Sequence, residues 1–183
     1  MLHLLRYRLA GAALLAGATT LFGATPAQAG SAAGTIAVSL NVTDACLVNG
    51  ASSYTTSLGQ VGAITFADQP GLFGNTDASL VATGGGGAIS VLCSPGLSPT
   101  LTIGSGAHDS GGLHHLAAGS NQVAYHLFTD SGRSNEISIG QALSLGTTTT
   151  TAINVPIYAR TNSGGVVMPS GAYTDTVQVT LAW

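Results

Sequence analysis

A chain of 183 residues with 6% charged side chains, four of them arginine and none lysine, carries no row of cations with which to grip a phosphate backbone, so nucleic-acid binding is excluded. Glycine, threonine and serine outweigh the strong helix formers, which points to an exported all-β protein. The regular apolar alternation described below excludes disorder for most of the length.

Residues 1–29 have the layout of a secretory signal. Arg6 and Arg8 make a basic start, an apolar run extends from Leu9 to Ala24, and Ala27-Gln28-Ala29 is a small-x-small cleavage site. Cleavage is expected after Ala29. Gly11, Gly17, Thr19, Thr20 and Gly23 interrupt the run and no stop-transfer pattern follows, so no retained membrane anchor is expected. The 154 residues that remain keep two basic side chains, Arg133 and Arg160, against all seven acids, a net charge near −5. A surface so poor in charge does little to oppose self-association.

Residues 30–45 form a separate N-terminal segment ahead of a domain at 46–183. Within the segment, Ile36, Val38, Leu40 and Val42 alternate with Thr35, Ala37, Ser39 and Asn41, so a strand there places every large side chain on one face. Two readings stand: the first strand of an ordinary sandwich, paired within its own sheet, or a donor strand that fills a neighbouring subunit. Cys46 and Cys93 are the only cysteines and export takes them to an oxidising compartment, so a disulfide between them is expected, closing a loop of about 48 residues.

Asn49-Gly50 is a turn signal, Gly62 to Phe66 a short strand, and the stretch from Asp68 to Asn75 a loop. The four glycines at 84–87 are not followed by GK[ST] and lead into a strand at Ala88–Cys93, so they read as a connection and not a phosphate cradle. Further strands are expected at Thr100–Ile103, ended by Gly104-Ser105-Gly106, and at Gln122–Phe128, followed by a hairpin turn at Asp130–Arg133. Short alternating pieces follow at 136–139 and 142–145. Pro156 puts the piece at 153–158 on an edge or at a bulge. In the last segment, Tyr173, Val177, Val179, Leu181 and Trp183 make one apolar face that Asp175 interrupts. Strands at intervals of roughly 8 to 15 residues with no helical stripe predict an immunoglobulin-like β-sandwich.

His108, Asp109, His114 and His115 have metal-ligand chemistry but lie in a polar, Gly-rich stretch, which is expected to be a solvated loop with no metal; no cofactor is expected. His126 is expected to face outward. There is no GxSxG elbow or other catalytic motif, and no pair of carboxylates stands apart from surface acids, so the chain does not read as an enzyme.

The strand before Cys46, Ile89-Ser90-Val91-Leu92-Cys93, Val123-Ala124-Tyr125 with Asp130, Val155-Pro156-Ile157-Tyr158 and the terminal Gly171-Ala172-Tyr173-Thr174-Asp175-Thr176-Val177-Gln178-Val179 resemble, in that order, the spore coat protein U domain family. Within it they resemble the Csu-type pilins of archaic chaperone–usher fimbriae. The resemblance implies an incomplete immunoglobulin-like sandwich completed by a donor strand from a neighbouring subunit. It implies as partners copies of the chain, other pilins, a periplasmic chaperone and an outer-membrane usher, with passage through the periplasm to a surface fimbrium that supports adhesion and biofilm formation. The donor positions would be Ile36, Val38, Leu40 and Val42. The groove edge, which also serves as chaperone-binding strand, would be Tyr173, Val177, Val179, Leu181 and Trp183. The alternative is a monomeric exported module, or a tip or adaptor subunit, that binds carbohydrate or a surface through its loops.

Overall fold

The computed structural model describes residues 28–51, 53 and 57–183. The leader expected at 1–29 lies, up to Ala27, outside them. The chain divides into two units, residues 1–40 and 41–183. In the first, residues 28–40 belong to no strand and are exposed throughout.

The second unit is all β, with twelve strands among the described residues and no helix. Its spine is a pair of consecutive strands, β4 (Ile89–Cys93) and β5 (Thr100–Gly106). The six-residue link between them stays hydrogen-bonded to residues 145–148: Thr148 N–H donates to Leu97 O at 2.8 Å and Leu145 N–H to Pro99 O at 3.0 Å. The two strands therefore run on as one line. Along one side lie β10 (Ile153–Val155), on β4, and β9 (Gln141–Ser144), on β5; along the other lie β1 (Cys46–Val48) and β12 (Val177–Ala182). The alternating positions Ile89, Val91, Leu101 and Ile103 of the spine face inward and are at most 3% exposed, while Leu92 faces out.

The facing sheet has the order β2 (Gly62–Ile64), β3 (Thr76–Ala82), β11 (Tyr158–Thr161), β7 (Asn121–Phe128) and β6 (His114–Ala118), with β8 (Glu136–Ile137) on the far part of β7. Leu80, Ala82, Tyr125, Leu127, Ile137 and Ala159 close the core from that side. Every pairing in both sheets is antiparallel. Pro156 stands where the chain leaves β10 in one sheet for β11 in the other. A residue without an N–H leaves no ladder donor unpaired at such a crossing. The Cys46–Cys93 disulfide forms between residues directly opposite each other on β1 and β4.

Three sequence expectations need correction. Residues 114–118 are not a solvated loop: they form β6, and His114 is 3% exposed because β7 pairs along it and Tyr125 stacks on its ring at 5.3 Å. The strand expected to stop at Ile103 continues to Gly106 by means of a bulge. The terminal strand is shorter than 172–183. Residues 172–176 lie before β12 and meet the opposite sheet through one backbone bridge, Thr174 to Ala117, and through the Asp175 side chain.

Candidate functional site

The two features marked out by the sequence, the N-terminal segment and the terminal strand, sit in different surroundings. Ile36, Val38, Leu40 and Val42 are between 81 and 90% exposed and lie in no strand. Only Thr43, Asp44 and Ala45 separate Val42 from Cys46. At the root, Ser94 N–H donates to Ala45 O at 2.9 Å and Ala45 N–H to Ser94 Oγ at 3.2 Å. These bonds hold the backbone at Ala45.

Among the described residues β12 pairs with β5 and with nothing on its other side. Val177, Val179 and Leu181 face the core but are only partly covered, whereas Leu101 and Ile103, one strand further in, are fully buried. The edge thus offers unpaired backbone polar groups beside half-covered aliphatic side chains, the kind of surface that natural sheets otherwise protect. Tyr173 lies before the strand, with its hydroxyl donating to Pro169 O at 3.0 Å. Trp183 follows the strand and is 44% exposed.

Asp175, the interruption in the apolar face, is an acid with four close polar contacts. Its side chain is 2% exposed. One oxygen, Oδ1, accepts from Ala107 N–H at 2.9 Å and His108 N–H at 3.2 Å and lies 3.2 Å from His108 Nδ1; the other accepts the Tyr125 hydroxyl at 2.7 Å. Next to it, Asp109 accepts Gly106 N–H at 2.8 Å and lies 2.8 Å from His114 Nδ1. Gly106 makes room for both acids, since a Cβ there would collide with the Asp175 and Asp109 carboxylates. Burial raises the Asp175 pKa, but the Tyr125 hydroxyl, the Thr176 and Ala107 N–H groups and His108 outweigh it and hold the carboxyl below its ordinary value. Burial first, then the bond to Asp175, push the Tyr125 phenol well above its ordinary value, so it stays a neutral donor.

Asp109, His114 and Asp175 bring three ligand-type atoms within 4.8 Å of one another. Their oxygens already face N–H and O–H donors, which suit a carboxylate and compete with a cation. His115 is not part of the group; its Nδ1 lies 3.1 Å from Leu113 O. His126 is partly exposed and pairs with Glu136 at 2.6 Å, on the outer side of β7 as expected. Both arginines of the domain, Arg133 and Arg160, lie on one carboxylate, Asp77.

The described residues thus form a small β-sandwich whose strand β12 is paired on one side only, together with an exposed, alternating apolar segment at residues 36–42. The family model for the Spore Coat Protein U domain matches residues 32–180, and the chain belongs to that family, one of structural pilus and coat subunits. No curated protein matches the chain.

Sequence reasoning singled out Asp175 but missed its partners. Tyr125 read only as part of a strand and His114 as solvated, because the bridge from Thr174 to Ala117 and the approach of residues 107–109 depend on tertiary placement. The signal available was a lone acid in an apolar alternation, together with a Gly-Ser-Gly break in the strand it pairs with.

Proposed function

We propose that the chain is a structural subunit of a surface fibre of chaperone–usher type, and that it polymerises by lending residues 35–42 to the open edge of another copy. The observation that carries this reading is the combination in one chain of four exposed aliphatic side chains at every second position, 36 to 42, with a terminal strand paired on one side only. Burying four such side chains is worth about 6 to 12 kcal/mol gross, at roughly 1.5 to 3 kcal/mol each. Each ladder hydrogen bond adds about 1 kcal/mol net. The family match begins at residue 32 and so includes the whole donor stretch, which supports treating it as part of the domain's design.

In this reading a periplasmic chaperone lends a strand to the β12 edge until an outer-membrane usher exchanges it for the segment of another subunit, of this chain or of another pilin. The exported fibre supports adhesion and biofilm formation. The test is replacement of Leu40 by Asp, which puts an unpaired charge among apolar side chains. Fibres should vanish from sheared cell-surface material in electron micrographs while capture by the chaperone persists. Normal fibres from Leu40→Asp would sink the donor assignment.

The second reading, a monomeric exported module binding carbohydrate or a surface, has one observation in its favour. Leu72, Val166 and Val167 are 56 to 71% exposed on two loops tied together by Met168 N–H to Gly71 O at 2.7 Å and Ser163 Oγ to Phe73 O at 2.9 Å. Sedimentation of the exported chain separates the two: ladders or fibres favour the first, a stable monomer the second.

A further inference from the structure

The apolar face of β12 has an ambiguity that its own side chains do not remove. Val177, Val179 and Leu181 repeat at every second residue, so a slip of two residues against β5 keeps them all on the core face and exchanges Val for Val or Leu for Val. One-residue slips are forbidden by the burial pattern, but two-residue slips are not. As found, Val179, Thr180, Leu181 and Ala182 stand opposite Ile103, Thr102, Leu101 and Thr100.

Asp175 is the one residue of that face with a unique place to go. Its carboxylate sits in a nest made by three separate parts of the fold: the N–H groups of Ala107 and His108 after β5, the Tyr125 hydroxyl on β7, and the space left by Gly106. The register confirms that β5 is shaped around it. Between the pairs Val177 with Gly106 and Val179 with Ile103, β12 advances two residues and β5 three, so the extra residue of a bulge lies at Gly104-Ser105. That bulge turns Gly106 toward the two carboxylates while Leu101 and Ile103 still point into the core. A slip of two residues carries the carboxylate out of its nest, toward apolar side chains in one direction and away from Tyr125 in both. Either move strands a buried charge or a buried hydroxyl, each costly without a partner.

We infer that Asp175, with Tyr125 as its donor, is a positioning residue that selects a single register of the terminal strand, as a lone buried polar residue selects register in helical assemblies. Its consequence for assembly rests on the fibre reading: the register of the edge decides which hollow each donor side chain meets. The register itself belongs to one chain and stands or falls without the polymer.

The experiment therefore reads register inside one exported full-length chain. Thr102→Cys is combined in turn with Gln178→Cys, Thr180→Cys and Ala182→Cys, all exposed positions on β12, and the cross-links are mapped by mass spectrometry. With Asp175 intact, only the 102–180 link should form. In Tyr125→Phe/Asp175→Val, which removes both members of the polar pair together, links from 102 to 178 or 182 should rise from background to at least about a tenth of the product. Asp175→Asn, which keeps the size and an acceptor oxygen, should restore the single 102–180 link. Retention of the single link in the double variant overturns the inference. So does loss of every link in both variants, because the network would then hold up the fold as a whole and not choose the register. A failure of Leu40→Asp to affect fibres would leave these results untouched and count only against the fibre reading.

Discussion

Gly106 and Asp175 show how much a single position decides here. Any side chain at 106 meets two carboxylates. Gly106→Ala should therefore cost about 1 to 3 kcal/mol, the usual range for overpacking a filled site, seen as a lower denaturant midpoint with an unchanged slope. The Asp175 carboxyl is held below its ordinary value, so its contribution to stability is present in full above the ordinary carboxylate range and is lost as the pH falls through the depressed folded-state pKa. Asp175→Asn, which does not titrate, should be less stable than the natural chain at neutral pH and lose less stability on acidification. Urea midpoints measured from pH 7 down to pH 3 check this; parallel profiles would contradict it. At this scale the sequence was half legible. Asp175 stood out by breaking an alternation, whereas the burial of His114 follows from its pairing with β7 and its stacking on Tyr125, which no local pattern announces.

Strands were legible where alternation was strong and sheet partners were apolar. The inward positions of β4 and β7 lie where period-two patterning puts them, whereas the piece expected as one edge or bulged strand at 153–158 divides at Pro156 into β10 and the interior strand β11 of another sheet. β3 escaped notice because Thr76-Asp77-Ala78-Ser79 at its start is polar, and the bulge in β5 escaped because Gly104-Ser105-Gly106 has the composition of a turn. Both are settled by neighbours: β11 pairs along β3, and β12 along β5. The disulfide between β1 and β4 invites a direct measurement. In the chain-entropy model, a Cys46→Ser/Cys93→Ser variant should lose about 4 kcal/mol of stability, most visible as unfolding of the exported chain at lower denaturant. A loss under 1 kcal/mol would show that the three residues of β1 hold themselves without it.

For the molecule as a whole, the fold class could be read from strand spacing. The separate surroundings of residues 28–40 could not be read, since the same alternation serves a strand in its own sheet equally well. The two domain arginines are both engaged with Asp77, so few charges remain to steer association. Assembly of the exported chain, followed by light scattering, should therefore change little between about 0.05 and 0.5 M sodium chloride, a span over which charge-steered encounters slow steeply. Sulfate, which strengthens apolar burial, should speed it. A strong slowing by sodium chloride would mean that ion pairs drive the contact.

In the fibre proposed above, the covalent staple at residue 46 would have a mechanical meaning. Tension arriving through Thr43–Ala45 meets a bond to the central strand at the first residue of β1, so three residues of ladder are never asked to peel under load. Force passes instead into the long β4–β5 line, and the weakest link under pull becomes the non-covalent seat of the lent strand in its neighbour.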